Sequence, residues 1–171
     1  MASTNPELLD SQRGEKQFPR TGIAAIVTRG TQILLGRSKK EPIVGKWVIP
    51  GGGVRPFEAL PDTVTRELKE EANIDIKPGA VLFVSEVLDE PLEHRIVIYV
   101  DAEYVGGELK AGDDLSEVRW VNAQDLGDLQ DEMSELTIDA LNKFSYIIKA
   151  RALAKKQGMF GPPIPSEGYI N

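Results

Sequence analysis

The chain has no cysteine, a single histidine (His94) and no apolar run of the length that crosses a bilayer. Each absence closes a class of function. Without thiols there can be no disulfide framework, thiolate zinc site or cysteine nucleophile, and one histidine excludes histidine-rich metal sites. Any metal must therefore be held by oxygen, which points to Mg2+ or Mn2+ as the cofactor. The opening stretch MASTNPELLDSQRGEKQ has neither the basic end nor the apolar block of a signal peptide. A cytoplasmic protein with no membrane partner is the expectation. Positive charge is also scarce: 27 acidic residues against 20 basic ones give a net charge of −7. That balance disfavours a nucleic-acid backbone as partner.

What is present reads as one globular domain. A length of 171 residues, 41% of them hydrophobic and 27% charged, suffices for one core. Residues 1–20 are polar and aperiodic, and read as an N-terminal arm. Residues 157–171, QGMFGPPIPSEGYIN, carry three prolines and three glycines and read as a tail without regular structure. Between them, residues 21–156 form the expected domain. TGIAAIVT (21–28) and TQILLG (31–36) read as strands turned at Arg29-Gly30, and KWVIP (46–50) as a third strand stopped by Pro50 and the glycines after it. VLFVSEVL (81–88), HRIVIYVDAEYV (94–105) and EVRWV (117–121) complete six strands, with Glu90 an exposed acid in the loop before the long strand. One helix is expected near 60–72. A second is expected over 134–156, with Ile138, Leu141, Ser145, Ile148 and Ala152 on its inner face, widened by Leu136, Phe144 and Ile147. These elements imply an α/β fold, a sandwich around a mixed sheet.

The chemistry concentrates in GGGVRPFEALPDTVTRELKEEANIDI, residues 51–76. On a helix from about Leu60 to Ala72, the apolar residues Val64, Leu68 and Ala72 stand four apart and form one stripe. Glu67, Glu70 and Glu71 stand at i, i+3 and i+4 and gather beside it. Like charges that close repel one another and raise one another's pKa. A divalent cation reverses the sign of that argument, because crowded carboxylates become a hard-oxygen cage. Arg66 is placed to pair with one carboxylate and fix its rotamer. The glycines Gly51, Gly52 and Gly53 allow backbone to approach closely where a Cβ would intrude. Glu58, before the helix, reads equally as a cap or as a ligand.

The spacing G-x5-E-x7-R-E-U-x-E-E-x-G-U, with U aliphatic, here runs through Gly52, Glu58, Arg66, Glu67, Leu68, Glu70, Glu71, Asn73 and Ile74. It resembles the signature of the Nudix hydrolases, with Asn73 in place of the final glycine. That glycine ends the helix in a left-handed conformation, which asparagine tolerates next best. The flanks WVIPGG before the box and GDDLSEVRWV after it (112–121) resemble the family as well.

The resemblance implies an α/β/α sandwich that hydrolyses a nucleoside diphosphate linked to a moiety X by attack of water on phosphorus. It implies Glu67, Glu70, Glu71 and the Gly51 carbonyl as metal ligands, and Arg66 as the residue that orients the carboxylates. The general base differs between branches of the family. A box glutamate, Asp113, Asp114 and Glu117 are the candidates, with Glu117 favoured among the later acids. Arg37, Lys46 and Arg95 are candidate substrate-binding cations, and Lys39 and Lys40 flank the same segment. His94 reads as a surface residue, and Trp47 and Trp120 as core. ADP-ribose or another nucleotide sugar is the favoured substrate, prompted by GGELKAGDDLSEVRW (106–120). A sanitising pyrophosphatase of oxidised nucleoside triphosphates and a nucleotide-binding module without turnover are the alternatives. A homodimer, as in many members of the family, is a further expectation.

Overall fold

A computed structural model describes residues 18–89 and 93–157. The arm up to residue 17, the tail from residue 158, and Glu90 lie outside the described residues. The elements in chain order are β1 (Arg20–Arg29), β2 (Gln32–Ser38), β3 (Trp47–Val48), β4 (Gly51–Gly53), helix α1 (Leu60–Ala72), β5 (Ile74–Asp89), β6 (Glu93–Gly107), β7 (Leu115–Asn122), a 3-10 helix (Ala123–Glu132) and helix α2 (Glu135–Lys156).

The centre of the sheet is β1, which pairs parallel with β6 and antiparallel with β2 and β4. Its run Ile23–Val27 is buried throughout, as a strand covered on both faces requires. Alternation divides that run between two cores. Ile23, Ala25 and Val27 join Val64, Leu68 and Ala72 of α1, whereas Ala24 and Ile26 join Trp47, Tyr99 and Ala140 on the side of α2. One helix on each face of a mixed sheet is the expected α/β/α sandwich. Val64, Leu68 and Ala72 are completely buried, so the predicted stripe is the seam that fixes α1 to the sheet. Each large side chain in it contributes on the order of 1.5–3 kcal/mol.

The glycines differ from expectation. Strands β1 and β2 pair only near their shared turn, at Thr28 with Ile33 and Arg29 with Gln32. The chain from Trp47 to Gly53 fills the gap where they splay apart, pairing first with β2 through Trp47 and Val48, then with β1 through Gly51–Gly53. The glycines are thus a strand rather than a loop. Strand β5 begins earlier than expected, since bulges between Pro78 and Phe83 absorb the helix- and strand-breaking KPGA. The burial of α2 follows its predicted face only in the first half. Leu136, Ile138, Leu141 and Phe144 pack on the core, but Ser145, Ile148 and Ala152 are exposed.

Asn73 ends α1 at φ 55 and ψ 28, with its N–H donating to the Lys69 carbonyl at 3.1 Å. Its side-chain Nδ2 donates to the Glu108 carbonyl at 2.8 Å. We expect Asn73→Gly to be near neutral, the easier backbone offsetting the lost hydrogen bond. Asn73→Val should cost about 1–2 kcal/mol, because a β-branched residue resists the left-handed region. Urea denaturation of the two variants checks this; equal midpoints would contradict it.

Candidate active site

Helix α1 enters after Ala59 with no side-chain cap, and Pro61 sits in the first turn, where its missing N–H is no loss. Glu58 is therefore not the capping residue. Its carboxylate instead accepts from Arg66 Nε at 2.7 Å and Nη2 at 2.8 Å, and from the Thr63 hydroxyl at 3.0 Å. The bonds from Arg66, chiefly, hold Glu58 down to about pKa 2, against the opposing pull of desolvation. Arg66 also donates through Nη1 to Glu67 at 2.6 Å and to Glu70 at 3.0 Å, and through Nη2 to the Gly53 carbonyl at 3.2 Å. One guanidinium thus binds three carboxylates, where the sequence suggested one, and its own proton is held more tightly for it.

Two glutamates of the cluster turn toward the glycine strand. Glu71 is only 4% exposed and accepts the Gly51 N–H on Oε2 at 2.9 Å. Burial raises its pKa to about 7; the Gly51 bond and Lys40 oppose the shift, while Glu67 and Asp114 add to it. Glu67 lies so close to β4 that a Cβ on Gly52 would stand 2.3 Å from its carboxyl carbon. A Cβ on Gly51 would stand 2.1 Å from the Ile23 carbonyl oxygen. Gly51 is required by the β1 backbone, a side chain at Gly52 would push the Glu67 carboxylate aside, and the absent side chains leave Glu67 and Glu71 room against the strand. Glu70, more exposed, lies between Arg66 and Arg55, the latter at 3.7 Å.

Among the described residues no three carboxylates converge as a ready metal cage. Arg66 draws Glu67 and Glu70 to itself, and the Gly51 N–H holds Glu71. The donor set nevertheless fits a hard divalent cation: oxygen ligands throughout, and a buried carboxylate whose charge is costly until a cation shares it. Glu67, Glu70, Glu71 and the Gly51 carbonyl, the ligands that the resemblance implies, are the groups that would hold it.

The other candidates are not brought to this cluster. Glu117 pairs with Arg37 in the β2–β7 register, on the face of Leu35 and Val121 that carries α2. There Glu117 accepts from Arg119 at 2.6 Å and lies 3.7 Å from Arg37. Arg37 also binds Glu132 and, like Arg119, stacks over Trp47, at 4.7 and 4.9 Å from the ring centre. Lys46 Nζ donates to the Asp131 carbonyl at 2.8 Å. Arg95 alternates with Val97 and Tyr99, again toward α2, and its stem lies near Gly22. His94 bonds Glu86 at 2.8 Å on an exposed edge. Trp47 is fully buried as expected, and Trp120 packs against the α1 core. Asp114, by contrast, lies close enough to act on Glu71, on a loop that donates its Gly112 N–H to the Glu71 carbonyl at 3.0 Å. Reading by sequence ranked it below Glu117; its neighbour Asp113, in the left-handed region at φ 40, marks the turn that brings it in.

The NUDIX domain family matches residues 18–141 of the chain. An ADP-ribose pyrophosphatase of Methanocaldococcus jannaschii is 35% identical over 109 residues, 63% of this chain and 64% of that protein. An NAD-capped RNA hydrolase NudC of Pseudomonas syringae pv. syringae is 30% identical over 155 residues, 86% of this chain and 50% of that protein. The chain thus spans less than two thirds of the length of either relative. Among solved structures, a MutT NUDIX hydrolase from Burkholderia pseudomallei superposes with a TM-score of 0.64 at 27% identity, over 74% of this chain and 98% of that one.

The two shifted glutamates give opposite pH dependences. Glu71 binds its proton more tightly folded (about 7) than in its ordinary state (4.5), so stability of the metal-free protein falls as pH rises through that interval and stays low above it. Glu58 stabilises above 4.5, and that contribution is lost as pH falls toward 2. Metal-free stability should therefore peak near pH 5. Glu71→Gln should flatten the decline between about pH 5 and 8 and raise stability at pH 8 by on the order of 2 kcal/mol. Denaturant unfolding in chelator at both pH values measures it, and a variant with the same slope as the unaltered protein would contradict the burial argument.

Proposed function

Since the chain belongs to the NUDIX domain family, we propose that it is a divalent-metal-dependent hydrolase of nucleoside diphosphates linked to X, with ADP-ribose or a nucleotide sugar as substrate. The observation that carries this reading is the arrangement of Glu67 and Glu71 against Gly52 and Gly51, with Arg66 clamping Glu58, Glu67 and Glu70. The choice of ADP-ribose is supported by the likeness to the M. jannaschii enzyme. A module without turnover is disfavoured, because all three box carboxylates and their arginine are in place.

Bound at Glu67, Glu70 and Glu71, magnesium or manganese would neutralise the diphosphate and acidify a water for attack on phosphorus. The chain's own part is positional. Arg66 holds the rotamers of Glu67 and Glu70, and is itself held by Glu58, so the carboxylates are fixed before substrate arrives. Glu71, buried and bonded to the Gly51 N–H, presents a carboxylate whose charge a bound cation would share. Glu117, paired with two arginines on the other face, is replaced as candidate base by Asp114. Among the described residues no helix is long and apolar enough to cross a membrane.

Turnover of ADP-ribose should require magnesium or manganese and vanish in chelator. Glu71→Gln should lower kcat by roughly a hundred- to a thousand-fold, as loss of an active-site electrostatic group does. Asp128→Asn, an exposed acid on the 3-10 helix, should stay within about twofold. Product analysis should find a nucleoside monophosphate and a phosphorylated X. Full turnover in chelator, or equal rates for the two variants, would refute the reading.

A further inference from the structure

Two loops meet over the last turn of α1. The segment after β6 is fastened there by two backbone bonds, Lys110 N–H to the Ala72 carbonyl and Gly112 N–H to the Glu71 carbonyl, both 3.0 Å. Gly112 approaches so closely that a Cβ would stand 2.4 Å from the Glu70 carbonyl oxygen. Its far end is anchored by Leu115, buried in the pocket left by Gly36. Between these anchors Asp114 reaches the loop after β2. Its carbonyl accepts the Lys39 N–H at 2.8 Å, and its carboxylate forms an ion pair with Lys40.

The backbone bond and the ion pair differ in kind. The first fixes the loops. The second joins side chains that are 58% and 44% exposed, and a pair so hydrated contributes about 0–1 kcal/mol. It can be exchanged at little cost. Asp114 stands two residues after Gly112, whose N–H is bonded to the Glu71 carbonyl, so the pair lies beside the turn of α1 that carries Glu70 and Glu71. Of the nearby cations, Arg66 binds three carboxylates, Arg55 lies 3.7 Å from Glu70, and Arg37 and Lys46 serve the α2 side.

We infer that Lys40 is the cation that recognises the substrate's diphosphate, and that Asp114 is its resting counter-ion, displaced when the diphosphate takes Lys40. The inference rests on the proposed diphosphate chemistry, which it deepens by naming a specificity-determining residue. It has a directional consequence. If the ion pair only braces two loops, breaking it from either side weakens binding. If Asp114 competes with substrate for Lys40, the two breaks act with opposite sign.

The test is calorimetric binding of α,β-methylene-ADP in magnesium, a probe with the diphosphate but no X group and no cleavable bridge. Lys40→Met should weaken its Kd by about tenfold, roughly the loss of one charge-assisted contact. Lys40→Arg should recover most of this, and Asp114→Asn should tighten binding by about two- to fivefold. Thermal melting of each variant confirms folding; a variant that fails to fold is replaced by Lys40→Gln or Asp114→Ser. Binding of Lys40→Met within twofold of the unaltered protein, or unchanged or weaker binding by Asp114→Asn, overturns the inference. Probe binding that behaves as expected without turnover of ADP-ribose would instead locate the failure in the proposed substrate, and no probe binding by the unaltered protein would overturn both.

Discussion

The arrangement of the site depends on one ion-pair network, centred on Arg66. Three acids within two turns of a helix, with a fourth just before it, repel one another in a metal-free protein. Arg66 answers three of them at once, at 2.6–3.0 Å. Its side chain and those of Glu58 and Glu67 are only 13–17% exposed, so these contacts are weakly screened compared with the surface pairs of the same chain. Glu58, outside the helix, gives the guanidinium a fixed far end. Arginine suits this place because its planar fork meets several carboxylate oxygens at once, which a lysine ammonium does not do with the same geometry. Glu71 is the one acid of the group that Arg66 leaves to backbone, and it is the one whose charge burial disfavours most.

That division explains the glycine strand. A carboxylate buried beside Glu67 has to be satisfied by something small, and the N–H of Gly51 serves because no side chain stands between strand and helix. The same strand wedges β1 from β2, so the site is built into the central seam of the sheet rather than set on a surface loop. A substitution at Gly51 or Gly52 would displace β1 backbone in the first case and Glu67 in the second. Stability and function are joined at those two residues.

How much of this could be read from the sequence follows from what each signal encodes. The spacing of Val64, Leu68 and Ala72 against Glu67, Glu70 and Glu71 is periodic, and helical period is the signal a single chain expresses most directly. Asn73 in the left-handed region and Trp47 in the core were legible for similarly local reasons. Gly51–Gly53 were not legible as a strand, because glycine has low β-propensity and the pairing is supplied by splayed neighbours distant in sequence. The 3-10 segment AQDLGDLQDE has no strong period to read. Arg37 and Arg95 were assigned by charge and place on their strands, and Glu117 through the family resemblance, but the face a strand residue occupies follows from register, and here register turns all three toward α2.

The cations on that second face have their own physical logic. Trp47 is fully buried and its indole Nε1 has no hydrogen-bond partner among the described residues, yet two guanidiniums lie within 5 Å of its ring centre. Stacking on the ring adds a cation–π attraction for Arg37 and Arg119, while Glu117 and Glu132 bind their edges. The group ties β2, β3 and β7 to the 3-10 segment. It thereby fixes the base of the loop that carries Lys39 and Lys40, whose position over α1 would otherwise depend on exposed contacts alone. Charges on the α2 face brace the scaffold, whereas the pair of Lys40 and Asp114 is lightly held and can respond to a ligand.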